Sequence, residues 1–293
     1  MPGDQGSLVF CELAVDPATG AVAFLAVAAT AEEVHASLVH ASRAGRIDTV
    51  LRLLDLNADM HAWDDAALRD AAYNGHVDVV ALLLCRGADV HAFNDAALRV
   101  ASCFGHVDIV TLLLGGGADV HACEGRALLV AARNGHAAVV SLLVFHGANV
   151  HARDDEALRA AAWNGQVAVV ELLLGCEANV HARDDEALRV AACDGHVTVV
   201  ELLLDLHADV HAHDDEALRM AARNGHAYVA ALLLDGGADA RALEGATSPH
   251  FADLVALLRG KSANVCLYSG GGAIRDSRRE PTSSTCFGAS DGA

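Results

Sequence analysis

The stretch EALRVAACDGHVTVVELLLDLHADVHAHDD, Glu186 to Asp215, decides the fold, because near-copies of it fill most of the 293-residue chain. Shifted by thirty residues, the sequence falls back onto itself. Leu38, Leu68, Leu98, Leu128, Leu158, Leu188 and Leu218 form one column, and Gly45, Gly75, Gly105, Gly135, Gly165, Gly195 and Gly225 another. No residue is inserted or lost across seven units, Ala36–Gly245. A fixed period of this size means a stack of like supersecondary units, none of which buries its apolar side alone.

Each unit reads as two helices and a return. Asp184 or Asp185 is expected to cap the first helix, with Glu186 favourable in its first turn. Leu188, Ala191 and Ala192 follow at helical spacing on one face. Asp194-Gly195 is the break, where glycine takes the left-handed conformation that ends a helix. The second helix runs through Val197–Leu204. Its apolar run alone also fits a strand, but the repeated Gly-His start and the lack of hairpin turns favour a helix. The closing HADVHAHDD is polar and carries the chain back. Neither helix is long enough to be stable by itself, so neighbouring units must supply the burial.

These residues resemble ankyrin repeats. Gly75-His76 through Leu84, followed by Gly87-Ala88-Asp89-Val90, is similar to that family's second helix and exit loop. The resemblance covers about Thr30 to Val265. It implies an all-α helical solenoid of about seven thirty-residue repeats plus a partial C-terminal one, and a protein-binding role. Two departures stand out. The family's usual repeat has thirty-three residues, whereas here a pair such as Asn94-Asp95 stands where a longer hairpin tip is usual. The family's Thr-Pro-Leu-His is replaced by Ala66-Ala-Leu-Arg69 or Glu156-Ala-Leu-Arg159. The projecting finger should therefore be blunt. Similar short versions occur in large DNA viruses and some microbial eukaryotes.

Composition narrows the function. The net charge of −19 argues against nucleic acid, whose phosphates demand clustered Lys and Arg. Glu186–Asp215 carries seven acids and one arginine, whereas Arg126–Asp155 carries two acids and three arginines. A basic partner segment would therefore favour the C-terminal repeats. The eight cysteines form no Cys-x-x-Cys pair and read as reduced thiols, which places the chain in the cytoplasm. The longest N-terminal apolar run, Ala21–Ala29, is far short of the roughly 18 residues that span a bilayer.

Outside the repeats, residues 1–35 are expected to form a cap: two short strands around a turn, then a capping box, Thr30-Ala-Glu-Glu33, that opens the first helix. Residues 246–265 read as a degenerate closing repeat and 266–293 as a disordered polar tail.

Histidine is the tempting chemical element. His61, His91, His121, His151, His181 and His211 form one column, and His76, His106, His136, His196 and His226 another. Zinc ligands must lie about 2 Å from one ion, while packed helices stand about 8–10 Å apart. Both columns are therefore expected to be structural, their imidazoles bonded to loop backbone. The densest group, His207, His211 and His213 with Asp214 and Asp215, lacks the fixed spacing of closed zinc sites, so no metal and no cofactor is assigned. A second ladder sets Asp64/Asp65, Asn94/Asp95, Asp154/Asp155, Asp184/Asp185 and Asp214/Asp215 beside Arg69, Arg99, Arg159, Arg189 and Arg219. It is expected to zip units together. Five equivalent copies make no unique pocket, so no catalytic residue is assigned and the protein is read as a non-enzyme.

The columns that vary point to recognition. One is Trp63, Phe93, Cys123, Arg153, Arg183, His213 at the return. Another is Arg43, Tyr73, Cys103, Arg133, Trp163, Cys193, Arg223 near the end of helix one, with Phe104 beside it. A core position stays small or aliphatic, so these should be exposed. The resemblance implies that they line a concave groove. Trp63, Tyr73, Phe93, Phe104, Arg133, Arg153, Trp163, Arg183 and Arg223 are the expected partner-binding residues, since Trp, Tyr and Arg dominate binding hot spots. The expected function is a scaffold, monomeric by itself, whose groove binds a protein segment. The alternatives are a subunit of a larger assembly and a pH- or metal-responsive binder.

Overall fold

Thr30 shows how closely local chemistry sets the first boundary. Its Oγ1 accepts the Glu33 N–H at 3.3 Å while a Glu33 carboxylate oxygen accepts the Thr30 N–H at 2.7 Å, a reciprocal box that opens α1, Ala31–Arg43. A computed structural model describes residues 8–15, 22–243, 265–266 and 275–276. The chain divides into two compact units, Met1–Asn179 and Val180–Ala293.

In the first unit, β1 (Leu8–Val15) pairs antiparallel with β2 (Val22–Ala29), Leu8 opposite Ala29 and Val15 opposite Val22. Five helix pairs follow: α1 with α2 (Ile47–Asp55), α3 (Ala62–Tyr73) with α4 (Val77–Cys85), α5 (Ala92–Phe104) with α6 (Val107–Gly115), α7 (Ala122–Arg133) with α8 (Ala137–Phe145), and α9 (Ala152–Trp163) with α10 (Val167–Gly175). The second unit holds α11 (Ala182–Asp194) with α12 (Val197–Asp205), α13 (Ala212–Asn224) with α14 (Ala227–Asp235), and a 3-10 turn, Ala240–Leu243. Two-residue strands, β3 (Val265–Cys266) and β4 (Arg275–Asp276), pair antiparallel. The closing repeat expected at 246–265 and the disordered tail expected at 266–293 otherwise lie outside the described residues. The fold class is all-α and ankyrin-type, with the β1–β2 hairpin appended.

Within each unit, first helices pack on first helices and second on second: α1, α3, α5, α7 and α9 in one row, α11 and α13 in another. The second helices span nine residues, about 13 Å, and settle the ambiguity of their apolar runs. From α4 on, each buries two residues early and a leucine three or four later, as Val79, Val80 and Leu83 do in α4. The first helices contribute one leucine and a pair of small residues, as Leu98, Ala101 and Ser102 do in α5. Fully burying one such leucine is worth roughly 1.5–3 kcal/mol, and the small residues let neighbouring helices approach.

Candidate functional site

The returns are the least ordinary stretches of backbone. Each opens its first helix with three consecutive left-handed residues: Trp63, Asp64 and Asp65 have φ of 55°, 55° and 49°. Phe93–Asp95, Cys123–Gly125 and Arg153–Asp155 repeat this, as do Arg183–Asp185 and His213–Asp215 in the second unit. A left-handed L-residue costs about 1–2 kcal/mol, and Asn and Asp tolerate it best. That explains why Asp or Asn fills most of the second and third places. The first place is the variable one, so Trp63, Phe93, Arg153 and Arg183 sit at the start of a strained bend.

Two side chains hold that bend. The arginine four residues on donates to its exposed carbonyls: Arg159 Nε to Asp154 at 3.1 Å and Nη2 to Arg153 at 3.0 Å, Arg99 to Phe93 at 3.0 Å, Arg189 to Asp184 at 3.2 Å and Arg183 at 3.1 Å. The aspartate in the third place is almost fully buried, 4–8% exposed in every copy. It accepts twice. His61, His91 and His151 donate Nδ1–H to Asp65, Asp95 and Asp155 at 3.2, 3.2 and 3.0 Å. From 24 residues ahead, the backbone N–H of Asp89, Asp119 and Asn179 reaches the same carboxylates at 3.0, 2.8 and 2.8 Å. In the second unit, His181 and Asp209 bond Asp185 in this way, and His211 and Asp239 bond Asp215. Since a carboxylate only accepts, each imidazole carries its proton on Nδ1.

Two expectations are corrected here and a third is refined. Asp184 and Asp185 do not cap α11; no side chain does, because Asp185 points at His181 and Asp209. The ladder does zip units, through Asp and backbone N–H; its arginines bond carbonyls of their own bend, and Arg99 and Arg189 also reach the next repeat, at Cys123 Sγ (3.2 Å) and the Glu216 carboxylate. The His61 column bonds carboxylate within its own return rather than loop backbone. The other column behaves as expected: His76, His106 and His136 reach the carbonyls of Arg43, Tyr73 and Cys103 at 2.9, 3.2 and 3.0 Å. A Cβ on Gly105 would stand 2.6 Å from the His136 ring, and the φ of 74° there also demands glycine.

One bend departs from the rest. In the bend that opens α7 the third place is Gly125, and the arginine position is a buried Leu129. The His121 ring and the Asn149 N–H thus lose the carboxylate their counterparts bond. They border a cleft of about 350 Å³ lined by His121, Glu124, Gly125, Asn149, Ala152 and Arg153.

All nine expected contact residues are exposed. The five aromatics among them, Trp63, Tyr73, Phe93, Phe104 and Trp163, are 45–62% exposed. In the first unit they fall in two rows. Trp63, Phe93 and Arg153 stand on the bends; Tyr73, Phe104, Arg133 and Trp163 stand at the far ends of the first helices, about 10 Å away along the axis. Tyr73 and Phe104 meet edge to face at 4.5 Å between ring centres. Arg69 lies 5.6 Å over the Phe93 ring. Arg153 pairs with Glu156 at 3.1 Å. In the second unit Arg183 lies on a bend, 3.8 Å from Glu186, and Arg223 near the end of α13. Sequence reasoning missed Phe145, 84% exposed at the end of α8. It belongs to the unrestrained column Cys85, Gly115, Phe145, Gly175, and the same test of variability would have found it.

Family models described as ankyrin repeats match residues 38–84, 68–154, 98–184 and 158–244. The chain belongs to the ankyrin-repeat family. It is also similar to the crystal structure of the human ASB11 ankyrin repeat domain, with 28% identity and a TM-score of 0.59, over 64% of this chain and 96% of that one. No curated protein matches significantly in sequence. Ankyrin repeats are in general protein–protein interaction modules, and the fold is typically a non-catalytic scaffold. Among the described residues no helix is long and apolar enough to cross a membrane, and no group of three His, Cys, Asp or Glu is placed to hold a metal ion.

Proposed function

We propose that this protein is a non-enzymatic, cytoplasmic scaffold that binds a segment of another protein along the bends and first-helix ends of its repeats. The observation that carries this is the exposure of Trp63, Tyr73, Phe93, Phe104 and Trp163, large rings that soluble surfaces seldom leave clustered without a partner. Asp, His and Arg fix every one of these bends except Cys123–Gly125, so little order is lost on binding. Arg133 and Arg153 supply the polar part of the same surface, and Arg183 and Arg223 hold the matching repeat positions in the second unit.

The test is affinity capture with wild type and a Trp63→Ala, Tyr73→Ala, Trp163→Ala variant. All three rings are more than half exposed, so the variant should keep its helical circular dichroism while losing the specific partner. Recovery of the same proteins by both would show that these rings do not select it.

A further inference from the structure

The bend Cys123–Gly125 is built like its neighbours but lacks their carboxylate. In the bends before and after it, Asp95 and Asp155 each accept from an imidazole Nδ1 and from a backbone N–H of the next return. Gly125 accepts nothing through a side chain, so the His121 ring and the Asn149 N–H have no partner among the described residues. Two donors that converge on a carboxylate in every comparable return therefore face open space. A Cβ built on Gly125 meets only the Ala152 methyl, at 3.6 Å. The cleft of about 350 Å³ around it is ample for a carboxylate.

Its lining carries one acid and one arginine. Glu124 lines the cleft, but its side chain is 77% exposed and lies 3.5 Å from Arg153 Nε, which draws it to the rim. Glu124 makes no bond to His121 or to the Asn149 N–H. Arg126–Asp155, with two acids and three arginines, is a rare stretch of positive balance in an acidic chain. Arg153 lines the cleft while standing in the row of Trp63 and Phe93.

We propose that this cleft binds a carboxylate from outside the chain, the Asp or Glu side chain of a partner segment, through His121 Nδ1–H and the Asn149 N–H, with Arg153 at its mouth. The bound acid completes the Cys123–Gly125 return as Asp95 and Asp155 complete theirs. The proposal rests on the reading that a protein segment lies along these bends, and it fixes one point of that segment's chemistry: an acidic residue where it crosses α7.

Nuclear magnetic resonance on the labelled full chain tests this. The probes are acetate, a blocked Gly-Gly-Asp-Gly-Gly peptide and the same peptide with Asn for Asp. The expected result is a saturable shift of the Asn149 amide and the His121 ring. Binding should be at least about tenfold weaker for the Asn peptide, since a charged acceptor makes the stronger bonds. Gly125→Asp should abolish the shift by supplying the carboxylate from within; if that variant does not fold, His121→Ala serves. The Trp63→Ala, Tyr73→Ala, Trp163→Ala variant should keep it, which separates this site from the aromatic rows. Equal shifts in Gly125→Asp and wild type, or equal affinity for the Asn peptide, overturn the proposal. Acetate binding with no peptide binding overturns a partner side chain as the source.

Discussion

The bends at Asp155 and Gly125 share one backbone and differ in one group. Both run through three left-handed residues, at φ of 56°, 57° and 56° in the first and 51°, 57° and 75° in the second. In the first, a buried carboxylate ties His151 to the Asn179 N–H, and Arg159 holds the carbonyls. In the second both side chains are gone at once, Asp to Gly and Arg to Leu129. The comparison teaches that the bend's shape survives without its lattice, carried by the packing of α7 between α5 and α9. The lattice adds stability and occupies the space that the Cys123–Gly125 return leaves open.

Turning the ordinary bend into the exceptional one should have the largest effect. Asp155→Ala removes a buried carboxylate that accepts from His151 and the Asn179 N–H, and hydrogen bonds to a charged group are worth about 1.5–3 kcal/mol. A loss of about 2–3 kcal/mol is expected in urea denaturation, against almost none for Glu124→Ala, whose side chain is largely exposed. Equal losses would mean that the carboxylate is incidental.

The reverse change comes next. Gly125→Asp restores the acceptor and removes a glycine's unfolded-state freedom, and a small turn from φ 75° brings the residue to the 49–58° that Asp adopts in the five sister bends. It should add about 1 kcal/mol, read as a higher denaturation midpoint with unchanged slope. Destabilisation would show that the bend is tuned to glycine.

The smallest effect is a rate. Cys123 opens the exceptional bend and is exposed, while Cys193 sits near the end of α11. Burial first, then the Asp194 side chain hydrogen-bonded to it, push the Cys193 thiol above its ordinary value. Less thiolate is therefore present at neutral pH. Iodoacetamide followed by mass spectrometry should label Cys123 before Cys193, with the Cys193 rate climbing as pH rises. The opposite order would place Cys193 in a more open site than its surroundings indicate.

Much of this was legible in advance. The thirty-residue step, the Gly-His break and the columns of leucine and alanine are local or periodic signals, and they placed both helices of every repeat. The variable columns were read as exposed because core positions cannot hold Trp, Arg and Cys in turn. The roles of Asp and Arg were not legible. Asp155 lies four residues from both His151 and Arg159, and spacing alone did not say which it faces. The departure at Gly125 and Leu129 stood in plain view, yet it acquires meaning only once the carboxylate's two donors are known.

The sequence by itself determined the repeat, its helices and which side chains stay outside, because burial and helix termination act over neighbouring residues. The tertiary structure alone decided that each return is a left-handed bend whose aspartate reaches 24 residues forward to the next. That bond joins groups far apart along the chain, and only stacking brings them within 3 Å.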